Sequence, residues 1–212
     1  MFLRGFARTA IAVVALSAAL LAQELPRSGR SNARSGPATG GVVGTVDHVS
    51  KSEFAVLTPA GQKVVVNEAS STKYRKGTTS IPANAIRKGD GVLVLGMVSG
   101  AAITASQVIV QPANGGGSAA FSVAGVVPLR RGAPSAAKQV GQIPANYSQG
   151  VGSIVGGTEA NKATEAALAN YPGGIVDRVV ELSNGEYEVH TIGVNWPHHI
   201  FVSHDFKVVG AF

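Results

Sequence analysis

Four histidines crowd the C-terminal stretch of the chain: His190, His198, His199 and His204, with Glu186, Glu188 and Asp205 close by. Neutral imidazoles and carboxylates are the usual protein ligands of zinc and copper. Successive side chains on a strand point to opposite faces, so the neighbours His198 and His199 cannot easily serve one ion. His198 and His204 have even spacing and share a face if the strand runs unbroken, and His190 can join them from across a sheet. The metal set this predicts is His190, His198 and His204, and a turn at His204 and Asp205 would spoil it. The same imidazoles titrate near neutral pH and could make folding or binding acid-sensitive.

A second chemistry needs exposed contacts rather than ligands. Trp196, the only tryptophan, stands beside Pro197. It is either an interface anchor, together with His199, or a filler between helix and sheet. Lys73, Arg75, Lys76, Arg87 and Lys88 give a basic character to the first half of the chain, and with Trp196 and His199 they form the candidate contact surface. Single-stranded nucleic acid needs stacking platforms as well as charge. Residues 41–112 contain only Phe54 and Tyr74 as aromatics, and Phe54 lies in an apolar run. An anionic envelope polymer, which needs no aromatics, is therefore preferred to nucleic acid. Gly-x-Ser-x-Gly, His-Glu-x-x-His and Gly-x-x-x-x-Gly-Lys patterns are missing, so no enzyme activity and no cofactor are expected. The pair Glu186 and Glu188 reads as the exposed side of an amphipathic strand.

These residues must be held by small elements. Only 14% of the chain is charged and Gly occurs 27 times, a composition suited to short strands and turns. With no cysteine, disulfides and thiolate chemistry are excluded. Met1–Thr9 carries Arg4 and Arg8, and the apolar run Ala10–Ala22 follows. At about 1.5 Å per residue that run spans roughly 20 Å, short of the roughly 30 Å needed to cross a bilayer. Residues 1–22 are thus expected to be a signal peptide, or an N-terminal anchor if uncleaved, and to direct the chain to the cell envelope or the exterior. Membrane contact is expected only through this segment.

Residues 23–40 have almost no large apolar side chains and read as a flexible linker. Strands are expected at Gly41–Ser50, Phe54–Thr58, Gln62–Asn67, Val92–Met97 and Ala101–Val110, with a polar excursion at Glu68–Ala85. Five short strands close together suggest a small closed barrel, because closure removes exposed edges. Residues 113–157 are rich in Gly and Pro and read as a second linker. Its one apolar island, Phe121–Leu129, could add an edge strand, and Gly150–Gly157 reads as a hinge. In residues 158–212 a helix at Asn161–Asn170, capped by Thr or Asn and ended by Tyr171-Pro172-Gly173-Gly174, precedes strands at Ile175–Leu182, Glu186–Gly193, His199–Ser203 and Phe206–Val209. Ser183-Asn184-Gly185 is a hairpin signal. Charge divides along the chain, net positive over residues 41–112 and net negative over 158–212.

The segments GVVGTVDHVS, FAVLTP and IRKGDGVLVLGM make residues 41–112 resemble an OB-like domain of unknown function common in exported bacterial proteins. The helix, YPGG and VDRVVELSNGEYEV make residues 158–210 resemble PepSY-like domains. The first resemblance implies an extracytoplasmic barrel without settled chemistry. The second implies one helix on an antiparallel sheet and a binding or inhibitory role near peptidases. The resulting expectation is a mainly β plus α+β protein: an OB-like barrel, a Gly/Pro-rich linker and a PepSY-like unit. Its expected function is that of a non-catalytic secreted or envelope binding protein of undetermined ligand. The alternatives are a metal-binding protein using the histidine cluster and a regulator of an exported peptidase. The partner is open between an envelope polymer and an exported protein.

Overall fold

A computed structural model describes residues 36–111, 125–132 and 138–212. The expected export segment 1–22 and most of the linker 23–40 lie outside the described residues, as does Phe121–Ala124 of the apolar island. The strands are β1 (Ala38–Val49), β2 (Glu53–Leu57), β3 (Lys63–Lys76), β4 (Thr79–Ser80), β5 (Gly91–Ser99), β6 (Ala102–Val110), β7 (Val127–Pro128), β8 (Val140–Gly141) and β9 (Ser153–Val155). Helix α1 (Gly157–Asn170) follows, and then β10 (Ile175–Glu181), β11 (Tyr187–Ile192), β12 (Val194–Trp196), β13 (His199–Val202) and β14 (Val208–Ala211).

Five of these strands close on themselves. β1 pairs with β2, β2 with β3, β3 with β6 in parallel, β6 with β5, and β5 with β1 again. The closed five-stranded barrel is compatible with an OB-like barrel. Period-two alternation sends Val42, Phe54, Val56, Val64, Val66, Val94, Ile103 and Val108 inward to a core that Tyr74 also joins. β3 runs on to Lys76, well past Asn67, and turns back through β4. The stretch Glu68–Lys76, expected as an irregular excursion, is therefore mostly strand.

Residues 38–40, expected as linker, open β1, and they matter. β1 forms barrel pairs with β5 and also pairs with β10, through Gly41 opposite Val176 and Val42 opposite Ile175. One twelve-stranded sheet therefore runs from β2 through the barrel to β10, β11, β13, β14 and β8. The two segments expected as tethered modules share a sheet. Gly40 makes the junction possible, since a Cβ there would stand 2.0 Å from the carbonyl oxygen of Val176.

Helix α1 lies across this junction. Its small buried side chains Ala160, Ala163 and Ala167, with Leu168, let it approach closely. They pack against Val43, Leu93 and Leu95 on the barrel exterior and against Val176, Val179, Val189, Ile200 and Val202 on the sheet beyond. This explains the unbroken apolar run of β5, which is covered on both faces. The N-cap is Gly156, without a side-chain cap, rather than the expected Thr or Asn. The other face of the C-terminal sheet carries Val180, Leu182 and Phe201, covered by Ile143, Tyr147, Val151 and Phe212. Parts of the expected second linker are thus built into the fold: β7 pairs with β12, β8 with β14 and β9 with β10. The expected hinge contains β9.

Candidate functional site

The histidine cluster is folded against itself. Residues of β11 alternate, so Tyr187 and Val189 face α1 while Glu188 and His190 face away from it. His190 stands opposite Arg178 of β10 on one side and His199 of β13 on the other. A β-bulge between Val176 and Arg178 inserts Asp177 and turns it to the same face as Arg178. Asp177 Oδ1 consequently lies 2.6 Å from His190 Nδ1, and Arg178 Nη1 lies 3.0 Å from the same nitrogen. His199 Nδ1 lies 2.6 Å from Glu188 Oε1 and 3.2 Å from the Tyr147 hydroxyl. The two imidazoles meet edge to face at 5.2 Å, and His199 stacks on Phe212 at 4.6 Å.

Glu188 is 2% exposed and His199 9% exposed. Glu188 is therefore not the solvated acid its alternation with Glu186 suggested, and His199 is not a contact residue. Buried charge is tolerable only when paired, and each carboxylate here has a cationic or hydrogen-bonding partner. Burial, with Glu188 nearby, pushes the Tyr147 hydroxyl well above the ordinary tyrosine range.

The expected metal set does not assemble. His190 belongs to the buried row, whereas His198 places Nδ1 3.3 Å from the Thr191 carbonyl oxygen, to which it donates. His204 sits exposed in the turn between β13 and β14, whose Asp205 is held by hydrogen bonds from Lys207 and Ser203 at a pKa of about 2. That turn breaks the strand register on which shared ligation depended. Among the described residues no group of three His, Cys, Asp or Glu is placed to hold a metal ion.

Trp196 is 1% exposed, donates from Nε1 to the Lys138 carbonyl at 2.7 Å, and meets the Tyr171 ring edge to face. Lys138 Nζ lies 4.2 Å over its ring. It is core, not an anchor, because β12 pairs with β7 and closes the edge of the helix layer over it.

The basic residues have two fates. Arg87 folds back on the carbonyls of Asn84 and Ile86, bracing the short helical turn Ala83–Ala85. Lys63 pairs with Asp47 at 2.9 Å. Lys76 and Lys88 are exposed. Lys73 and Arg75 flank the inward Tyr74 on β3 and line a groove of about 660 Å³ with Lys51, Glu68 and Thr72. Tyr74 donates its hydroxyl to Glu68 Oε1 at 2.5 Å, and burial together with that bond raises its pKa far above the usual value. Glu68, the acid of the groove, is thereby engaged. Among the described residues none of Lys51, Lys73 and Arg75 is in an ion pair. Lys51, Glu68 and Tyr74 were not singled out from the sequence. The signal was the alternation Lys73-Tyr74-Arg75, which marks a strand with a cationic outer face. A second cavity, of about 440 Å³, opens between the barrel and α1 and also includes Arg75.

No protein-family model, curated protein or solved structure matches this chain.

Proposed function

We propose that the chain is a non-catalytic, extracytoplasmic binding protein that holds an anionic polymer in the barrel groove. One observation carries this reading: Lys51, Lys73 and Arg75 line one open groove with no ion-pair partner among the described residues, while the acid beside them accepts from Tyr74. Unpaired cations along a concave surface attract and orient polyanions, in a manner that salt weakens. The extracytoplasmic placement rests on the basic and then apolar character of residues 1–22. The helix-on-sheet unit, read as PepSY-like, serves in this view as the rigid support of the barrel wall through α1.

The test is titration of the full chain with dextran sulfate at low and high ionic strength. Lys51→Glu combined with Lys73→Glu is expected to weaken binding by about tenfold or more, equivalent to about 1.4 kcal/mol. The wild-type affinity is expected to fall as salt rises. Equal binding by the variant and the wild type would overturn the reading.

A further inference from the structure

Arg75 lines both the barrel groove and the cavity beneath α1. The second cavity differs in chemistry from the first. Its walls present the side-chain amides of Gln107 and Gln111 on one side and Asn161 and Lys162 of α1 on the other, with Leu95 and Ile109 contributing apolar surface. Leu95 stands directly opposite Gln107 across the β5–β6 ladder, and Leu93 opposite Ile109, so amide and aliphatic groups share the outer barrel wall here. On the helix, Thr158, Asn161, Lys162 and Glu165 recur at helical spacing and form one stripe along the cavity. Glu165 offsets Lys162, whose Nζ leans to 5.2 Å from the Phe206 ring centroid. The cavity thus keeps a single net positive charge, that of Arg75, where the groove carries more.

Asn161 lines this wall, although its Oδ1 is closed to solvent and takes no hydrogen bond from the described residues. Side-chain amides offer donors and acceptors together, as hydroxyl pairs do, and aliphatic side chains suit the C–H face of a sugar ring.

We infer that the ligand is an acidic polysaccharide, whose charged groups lie along Lys51, Lys73 and Arg75 while a further sugar unit occupies the amide-lined cavity beyond Arg75. This rests on the polyanion reading and adds to it a ligand class and a minimum length. A chain that fills both cavities gains affinity because the second contact becomes intramolecular once the first is made.

The test titrates the full chain with galacturonate oligomers of increasing length and, in parallel, with inorganic polyphosphate of matching charge. Affinity for galacturonate is expected to rise at least about fivefold from dimer to octamer. Gln107→Ala with Asn161→Ala is expected to remove that gain, leaving dimer and polyphosphate binding unchanged. Alanine is the better helix former at position 161, and an unchanged unfolding midpoint would show the fold intact. Octamer binding no tighter than dimer binding, or unaffected by the amide substitutions while Lys51→Glu with Lys73→Glu still weakens it, overturns the inference and spares the polyanion reading. Equal sensitivity of polyphosphate to the amide substitutions overturns the sugar assignment. Failure of the lysine reversals to weaken any polyanion overturns the underlying reading itself.

Discussion

The barrel and the sheet beyond β10 handle charge in opposite ways. Inside the barrel every strand points aliphatic side chains or Phe54 inward, and only Tyr74 brings a polar atom, whose hydroxyl is engaged by Glu68. Its cations stay outside, and three of them line the groove with no ion-pair partner among the described residues. The C-terminal sheet instead draws Asp177, Arg178, Glu188, His190 and His199 into a partly to fully buried row and pairs them with one another, Arg178 Nε alone finding no partner among the described residues. Residue types suited to chemistry therefore do different work in the two regions. Where they are mutually paired they fix strand register and packing, and where they are left unpaired on a concave surface they are available to a ligand.

The sharpest way to break this comparison is to unpair the buried row. Glu188→Ala leaves His199 and Tyr147 without their shared acceptor and is expected to cost about 1–3 kcal/mol in denaturant unfolding, the range for stranding a buried hydrogen-bonding group. Replacing both partners, Glu188→Leu with His199→Leu, is expected to cost less than the single change, since the imidazole is then no longer stranded. A double variant as unstable as Glu188→Ala would show that the row contributes through shape rather than pairing.

The junction comes next. Gly40→Ala places a methyl against the Val176 carbonyl and is expected to cost about 1–3 kcal/mol by overpacking. Because β1 belongs to both regions, the loss is expected in a single cooperative transition followed by circular dichroism and tryptophan fluorescence together. Two separated transitions would show that barrel and sheet fold independently.

Alkaline pH offers a milder probe. The hydroxyls of Tyr74 and Tyr147 are both held protonated above the ordinary tyrosine range, by burial first and then by Glu68 and Glu188 respectively. Unfolded tyrosine loses its proton near pH 10, so above that the unfolded chain binds fewer protons than the folded one. Stability is then full below about pH 10 and declines as pH rises further. Burial raises Tyr171 and Tyr187 as well, so Tyr147→Phe removes one contribution among several and is expected to make the decline shallower. At neutral pH it should cost about 1 kcal/mol, the worth of one hydrogen bond. Unfolding midpoints from pH 8 to 11 test the sign, and an unchanged slope would rule out Tyr147 as a source.

Local pattern made the barrel legible. Alternation in FAVLT and KVVV and the turn at Gly89-Asp90-Gly91 place β2, the start of β3 and β5 correctly, and Asn184-Gly185 marks the β10–β11 turn. The polar end of β3 was hidden because Ser70, Ser71 and Thr72 break the apolar alternation where the strand leaves the barrel core. The β1–β10 pairing has no local signature, since it joins residues remote in sequence through bare glycine backbone. The histidine row was half legible. His198 and His199 do part, but because His198 lies in the bend before β13 rather than through strand parity, and the bulge that delivers Asp177 to His190 adds a residue that no period-two reading supplies. Trp196 resisted assignment for a similar reason, as its burial depends on Lys138 and Tyr171 from other parts of the chain.

The smallest expected effect on stability is also the one that separates the two regions most cleanly. Lys51 and Lys73 are exposed and lie outside any ion pair among the described residues, so reversing both charges removes no native contact of consequence. Surface changes of this kind shift stability by no more than about 0.5 kcal/mol. The reversal should even relieve mutual repulsion among Lys51, Lys73 and Arg75, at the cost of facing Glu68 with new negative charge. The same variant is the one expected to lose dextran sulfate binding. Wild-type stability with lost binding would place these cations on the ligand side of the division, whereas a loss comparable to that of Glu188→Ala would mean that the groove, like the buried row, is held together by its charges.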